Sequence, residues 1–301
     1  MTHSARRALE PTSSMPHRHA AGAGLWSAYW QEFCPEDVPH DRCHIPSEGR
    51  PVIDRHWALF ADALPVGAHV IDIGSGAGIA GRLLLGRRSD LNVTGIDFAD
   101  VPIPDVPNLT IHPWVAMEAL PFDAGRFDAA ISLFGIEYGE IEQTAPELAR
   151  VLRPGARFSF LIHHVESGIV REGTRRRRAL LDLLSGKVKA PFLAGDIAGV
   201  DHHNAGLRSR YPGEPSIKLF TNYLRHHVTG TRSERQGKWR ELLDALEPEI
   251  ALLGQLEKSA KSDSETGSWL VPLLPIMRIV SVSIIRVASG QPIAWQVSGI
   301  R

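Results

Sequence analysis

Cysteine is nearly absent: Cys34 and Cys43 are the only two in 301 residues. Two thiols cannot make a disulfide framework, and they fit a reducing compartment, so a cytoplasmic protein is expected. An excess of charge of one sign is missing too. Lys and Arg total 33 and Asp and Glu 34, a formal net charge of −1. That balance excludes a general electrostatic attraction to nucleic acid or to an anionic membrane. Long apolar runs are lacking as well. Residues 1–20 are polar and rich in His and Arg, with no apolar core of the kind a secretory signal needs, and are expected to be a disordered tail. The most apolar stretch, Trp269 to Val287, is interrupted by Pro272, Pro275, Arg278 and Arg286, so no membrane span is expected. No internal repeat is visible.

What is present is ordinary globular material, 43% hydrophobic and 22% charged, in a length that permits one large domain or one domain with a sizeable cap. Ile53, Trp57, Phe60 and Leu64 fall on one face at helical spacing, which predicts a helix over 50–64 closed by Pro65-Val66-Gly67. A regular alternation follows. Strands are predicted at Val70–Ile73, Leu91–Ile96, Leu109–His112, Phe127–Leu133 and Ala156–Ile162. Helices are predicted at Ile79–Leu85 and Thr144–Leu152, where Thr144 and Glu147 have the spacing of a capping box, and Arg153-Pro154-Gly155 reads as a turn. Such alternation implies a mostly parallel sheet with helices on both faces. Strand signals then thin out, and residues 165–268 read as a helical insertion, with Arg175–Leu184 and Trp239–Leu246 its clearest helices. Ile279–Val287 and Ile293–Val297 read as a hairpin that closes the sheet. The expected organisation is a tail over 1–20, a helical lid segment over 21–66, a Rossmann-like core over 67–164, a substrate cap over 165–268 and a completing hairpin over 269–301.

The chemistry centres on Val70-Ile-Asp-Ile-Gly-Ser-Gly-Ala-Gly78. Gly74, Gly76 and Gly78 stand where a strand ends and a helix begins, with Ser75 between the first two. Glycine lets the backbone turn tightly there and approach a ligand with no Cβ in the way. The helix start offers free N–H groups. Asp72 is an acid inside an apolar strand, costly unless it bonds to something. It is expected to hold the loop and the amino end of a ligand; the structural alternative is a carboxylate that only accepts local N–H bonds. Gly76, Gly78 and Gly81 also match the dinucleotide pattern G-x-G-x-x-G, which by itself points to NAD or FAD. Asp97, ending the second strand, suits a pair of ribose hydroxyls with either cofactor, and Phe98 beside it suits packing on adenine.

Four stretches together resemble the class I S-adenosylmethionine (SAM)-dependent methyltransferases, in particular the UbiE-like, methyltransferase type 11 branch. They are Val70 to Gly78; Gly95-Ile-Asp97; Met117-Glu-Ala-Leu-Pro-Phe122 with Phe127-Asp-Ala-Ala-Ile-Ser132; and Leu152-Arg-Pro-Gly155. They cover about a third of the chain. The resemblance implies an α/β fold with a seven-stranded, mostly parallel sheet, a C-terminal antiparallel hairpin and SAM as cofactor, leaving as S-adenosylhomocysteine. It implies that Asp72, Gly74, Ser75, Gly76 and Gly78 hold the methionine part, Asp97 and Phe98 the nucleoside, Ala116 and Met117 the adenine, and Leu133 and Phe134 the region of the sulfonium. Relatives often carry an acid at the place of Ala116, so here adenine is expected to rely on backbone and apolar contacts.

The implied activity is methyl transfer to a small-molecule acceptor with an oxygen, nitrogen or carbon nucleophile. Because the sulfonium is already reactive, the protein's main task is alignment. A base helps where the nucleophile carries a proton. Glu137, Tyr138 and His164 are the candidates, with His164 favoured because its ordinary pKa suits neutrality. Tyr29, Trp30 and His163 are expected to line the lid and substrate side, with Trp26 beside the first two. Three other readings stand against this one: an RNA or protein methyltransferase using Arg175–Arg178, an NAD(P)-dependent oxidoreductase, and a regulatory protein that binds SAM without turnover. The loose cluster Cys34, His40, Cys43 and His44 matches no standard zinc spacing, and no metal is expected. His202-His203 and His226-His227 lack acidic partners at ligand spacing.

Overall fold

The computed structural model describes residues 24–31 and 47–301. Cys34, His40, Cys43 and His44, like the expected tail over 1–20, lie outside the described residues. The chain forms two compact units, one of residues 1–169 with 259–301 and one of residues 170–258.

The first unit is built on one sheet. Helix α1 covers residues 24–31 and α2 Arg50–Asp62. Then come β1 (His69–Ile73), α3 (Ile79–Arg87), β2 (Asn92–Ile96), β3 (Leu109–His112), β4 (Phe127–Leu133), a 3-10 turn (Ile136–Tyr138), α4 (Ile141–Val151) and β5 (Leu152–His163). The strand order, with β6 (Arg278–Arg286) and β7 (Pro292–Ile300), is β3-β2-β1-β4-β5-β7-β6. β3, β2, β1, β4 and β5 run parallel, while β7 pairs antiparallel with both β5 and β6. This is the seven-stranded, mostly parallel α/β sheet with a C-terminal hairpin that the resemblance implied.

Period-two alternation sorts the strands into two cores. Val70, Val93, Ala129, Ile131 and Leu161 pack with Ile53, Trp57 and Ala61 of α2 and Leu84 of α3 on one face. Ile71, Ile73, Ala130, Phe158, Phe160 and Ile162 pack with Ile141, Ala145 and Leu148 of α4 on the other. Strands buried on both faces read as apolar runs, which is why β4 is so plain in the sequence.

Two local expectations are corrected. Helix α4 begins one turn before Thr144, so Thr144 lies fully buried inside it and donates from Oγ1 to the Glu140 carbonyl (3.0 Å). Glu147 instead accepts from the Leu120 N–H (2.8 Å) and pairs with Arg150 (2.7 Å). A capping box is found instead at Ser262 with Glu265, opening α10 (Asp263–Leu270). Arg153-Pro154-Gly155 lies within β5 as an irregularity. The register jumps from Phe127↔Leu152 to Ala129↔Arg157, and Gly155 takes φ +83°.

The second unit comprises α6 (Gly186–Ala194), α7 (Ile197–Arg210), α8 (Pro215–His227) and most of α5 (Gly168–Leu183) and α9 (Arg232–Ser259). Leu180, Phe192, Val200, Leu224, Trp239 and Leu246 form its own core. Residues 165–169 and 259–268, assigned to the helical insertion by their sequence, cluster with the sheet. The Lys261 N–H donates to the His163 carbonyl (2.9 Å) and ties that segment to the end of β5.

Candidate functional site at the switch point

β1 and β4 are neighbours, but the chain leaves β1 towards β2 and β3 on one side and leaves β4 towards β5 on the other. Such a reversal opens a crevice at the carboxyl ends of the strands. Here two glycine backbones line it. A Cβ on Gly74 would stand 2.7 Å from Gly135 Cα, and one on Gly135 would stand 2.6 Å from the Gly74 carbonyl oxygen. Ser132, fully buried, fastens the same place. Its Oγ donates to the Ile73 carbonyl (2.7 Å) and accepts from the Ile136 N–H (2.9 Å). Gly135 and Ser132 are structural parts of the site that sequence reasoning missed. Their signal lies in contact across strands 59 residues apart in the chain, which no local pattern carries.

The glycine turn itself takes φ +64°, +51° and +77° at Gly74, Gly76 and Gly78, the left-handed region that disfavours side chains. Ser75 donates its N–H to the Ile96 carbonyl (2.8 Å), which sews the turn to the end of β2. Gly81, the third glycine of the dinucleotide-like pattern, lies inside α3, where a Cβ would be 3.0 Å from Val93. Its place is close helix–sheet packing.

Asp72 is 1% exposed. Its Oδ2 accepts from the Gly81 N–H (3.3 Å), and its Oδ1 is buried with no partner. Burial pushes its pKa up to about 8, against the pull of the Gly81 N–H. At the end of β2, Asp97 accepts from the Gly76 N–H (2.8 Å) at Oδ2 and from the Ala99 N–H (2.9 Å) at Oδ1. Burial raises its pKa as well, with the backbone N–H groups opposing. Phe98 follows it, half-buried. Ala116 and Met117 lie in the loop after β3, which the Val115 N–H ties to the Asp97 carbonyl (2.9 Å). Met117 packs so closely on Gly139 that a Cβ there would overlap it.

Beyond β4, Leu133 is buried and Phe134 takes φ +58°, a strained value for an aromatic residue. Phe134 stacks on the His163 imidazole with centroids 4.3 Å apart. His163, ending β5, is bound twice to the buried Glu137. Its backbone N–H donates to Oε1 (2.9 Å), and its ring Nδ1 lies 2.7 Å from the same oxygen. A carboxylate only accepts, so Nδ1 carries the hydrogen. Nε2 is then left without a partner among the described residues, and Glu137 Oε2 is buried without one.

His164 is arranged differently. Its Nδ1 accepts the Glu166 N–H (2.9 Å), so its proton sits on Nε2, which is buried without a partner beneath the stacked Trp295 (5.1 Å). Burial lowers its pKa, with the Arg286 charge adding to that effect and Asp263 and Glu166 opposing it.

Helix α1 crosses this site. Ser27 Oγ accepts the Asp100 N–H (2.9 Å) beyond β2, and Trp26 meets Tyr138 edge-on (5.3 Å) beyond β4. Between them, the indole of Trp30 lies over the glycine turn. A Cβ on Gly76 would overlap its Cζ2 and stand 2.7 Å from Cη2. Tyr29 packs edge-on against both tryptophans (5.5 and 5.3 Å). The aromatic chain continues from Tyr138 to His163 (5.9 Å). The structure therefore brings Asp72, the glycine turn, Asp97, Phe134, Glu137, Tyr138, His163, Tyr29 and Trp30 to one crevice. The His164 ring is withdrawn under Trp295.

The basic run Arg175–Arg178 is largely engaged within its own unit. Arg175 donates to the Pro212 carbonyl, Arg176 pairs with Glu249, and Arg177 pairs with Glu257 (3.0 Å). Among the described residues no group of three or more His, Cys, Asp or Glu could hold a metal ion. No described helix is long and apolar enough to cross a membrane.

Comparison with known proteins agrees with this arrangement. The family described as "Methyltransferase domain" matches residues 71–160. An uncharacterized protein of Mycobacterium tuberculosis is 53% identical over 45 residues, 15% of this chain and 16% of the relative. The ribosomal RNA small subunit methyltransferase G of Salinispora tropica is 42% identical over 55 residues, 17% of this chain and 23% of that protein. The matches thus span less than a quarter of these relatives. Among solved structures, the Burkholderia thailandensis 1,6-didemethyltoxoflavin-N1-methyltransferase, with 1,6-didemethyltoxoflavin and S-adenosylhomocysteine bound, aligns over 97% of this chain and 92% of its own at 12% identity and a TM-score of 0.49. Over residues 71–160, which hold Asp72, the glycine turn, Asp97 and Glu137, the chain matches the methyltransferase domain family, whose cofactor is S-adenosylmethionine.

Proposed function

We propose that the chain catalyses methyl transfer from SAM to a small-molecule acceptor, with His163 as the general base and Glu137 as its orienting partner. The bound cofactor would supply an electrophilic methyl group. The residues present fit it. The unpartnered Asp72 Oδ1 is a buried acceptor suited to an ammonium group, and the Asp97 carboxylate, bonded to the glycine turn at the end of β2, is suited to a ribose hydroxyl. Ala116 and Met117 would border adenine, and Leu133 and Phe134 the reacting centre.

The observation that carries the catalytic reading is the Glu137–His163 pair. A protein that only binds SAM has no use for an imidazole whose tautomer is fixed by a buried carboxylate and whose second nitrogen is left as an acceptor. The base expected at His164 is better placed at His163, because the Glu166 N–H occupies the acceptor nitrogen of His164. Tyr138 lines the acceptor side. The engagement of Arg175–Arg177 within their own unit favours a small acceptor over RNA.

Calorimetry with SAM, S-adenosylhomocysteine and NADH, followed by turnover on an acceptor panel, tests this reading. SAM and S-adenosylhomocysteine should bind and NADH should not. On an acceptor that is turned over, His163→Ala should cost about 10²–10⁴ in kcat with SAM affinity retained. NADH binding in place of SAM, or full turnover by His163→Ala, would overturn it.

A further inference from the structure

The crevice is unusual in its polarity. Glu137 Oε2 and His163 Nε2 are both unpartnered acceptors among the described residues, and the first is buried, where an unmet acceptor is costly. The segments at the carboxyl edge of the sheet carry Asp97, Asp100, Glu118, Glu137, Glu140 and Glu166. Residues 74–81, 97–125, 134–149 and 164–167 contain no Lys or Arg, nor does α1 over 24–31. Along the chain the flanking basic residues, Arg82 and Arg126, lie beyond these segments. Lys261 meets the end of β5 through its backbone. Aromatic rings supply the remaining wall: Phe134 stacked on His163, Tyr138 edge-on to it, and Trp26 edge-on to Tyr138.

We infer that the methyl acceptor is an amine that enters as its ammonium ion; this rests on the methyltransferase reading above. Carboxylates on segments that carry no Lys or Arg of their own attract a cation, and ring faces stabilise one once water is excluded. An ammonium brings two or more N–H donors, enough to meet both Glu137 Oε2 and His163 Nε2. A neutral alcohol or phenol brings one donor and leaves one acceptor bare. Its ionised form would put a second negative charge beside Glu137. A carboxylic or phosphorylated acceptor would meet only carboxylates. In the step that prepares the nucleophile, one N–H bond of the ammonium breaks and its proton passes to His163 Nε2. The electron pair of that bond stays on nitrogen, and Glu137 balances the imidazolium so formed.

The test uses the full-length protein saturated with S-adenosylhomocysteine, titrated by calorimetry with benzylamine, benzyl alcohol and benzoate, three probes of one shape and different charge. Benzylamine should bind at least tenfold more tightly than benzyl alcohol, with no detectable binding of benzoate. In Glu137→Gln the preference for the amine over the alcohol should fall below threefold while S-adenosylhomocysteine still binds. Equal binding of amine and alcohol, binding of benzoate, or an unchanged preference in Glu137→Gln overturns the inference and leaves the methyltransferase reading standing. Failure of the wild type to bind S-adenosylhomocysteine overturns that reading and this one with it. Should Glu137→Gln not fold, as judged by its thermal melt, the wild-type comparison of the three probes decides alone.

Discussion

Asp72 and His56 are titratable groups displaced in opposite directions by burial. Burial holds the Asp72 carboxyl up to about 8 and pushes His56, on α2 with Nε2 2.9 Å from Ser159 Oγ, down to about 4. The signs differ accordingly. Asp72 binds its proton more tightly in the folded state, so its contribution is full below the ordinary carboxyl value and is lost as pH rises towards about 8. His56 resists protonation in the folded state, so its contribution is full above about 6.5 and is lost as pH falls towards about 4. At about 1.4 kcal/mol per pH unit of displacement, His56 is worth up to about 3 kcal/mol across that window. Urea midpoints at pH 6.5 and 4.5 check this: the fall at low pH in the wild type should be much smaller in His56→Gln. Asp72 has a second signature. If an ammonium group of the cofactor settles against Oδ1, the carboxyl must release its proton. Binding of S-adenosylhomocysteine at pH 7 should therefore release close to one proton, seen as a dependence of the binding heat on buffer ionisation, and Asp72→Asn should abolish the release. Binding heats independent of buffer in the wild type would place the ammonium elsewhere.

At the scale of elements, one short helix and one glycine turn fit each other. Helix α1 is anchored at Asp100 beyond β2 and at Tyr138 beyond β4, and Trp30 lies on the face of Gly76 that has no Cβ. Gly76→Ala would place a side chain at φ +51° and against the indole. It should cost about 1–3 kcal/mol of stability, shift the tryptophan emission to the red, and weaken S-adenosylhomocysteine binding. Trp30→Ala, introduced into Gly76→Ala, should restore part of the stability, because the clash is removed while the backbone strain stays. Additive losses in the double variant would show that the two sites do not touch. Gly135→Ala tests the opposite wall. Its φ of −129° carries no left-handed strain, so a loss of about 1–3 kcal/mol there would come from the close approach of the Ile73 and Gly74 backbone. The helix and the turns also show where local reading stops. Thr144 and Glu147 satisfy the capping spacing, yet α4 begins one turn earlier, because contacts with Leu120 and Arg150 claim the Glu147 carboxylate.

For the whole molecule, the division into two units has a thermodynamic consequence. Each has its own apolar core, and the residues proposed to hold the cofactor all belong to the first. A ligand that binds one folded unit stabilises that unit by mass action, by about 2.7 kcal/mol at a concentration of 100 Kd. Urea unfolding followed by hydrogen exchange should show protection gained on S-adenosylhomocysteine binding across β1, β2 and β4, with residues 170–258 unchanged. Equal gains throughout would mean that the two units unfold as one.

The sheet was legible in the sequence because each parallel strand is a short apolar run set between turn formers, and burial on both faces leaves that composition few alternatives. The glycine turn and Asp72 were legible because their spacing is local: a strand end, a tight turn and a helix start follow one another within nine residues, and Asp97 was legible as the acid that ends the next strand. The chain alone also set the near-neutral charge and the acid-only composition of the loops after β2 and β4. Tertiary structure alone decided which histidine can act as a base. His163 and His164 are adjacent and chemically identical in sequence. At the end of β5 one imidazole meets Glu137, 26 residues earlier, and the other, just past the strand, lies beneath Trp295, 131 residues later. Tertiary structure likewise brought Gly135 against Gly74 and Trp30 against Gly76, because a crevice at a topological switch point is made where strands distant in the chain become neighbours.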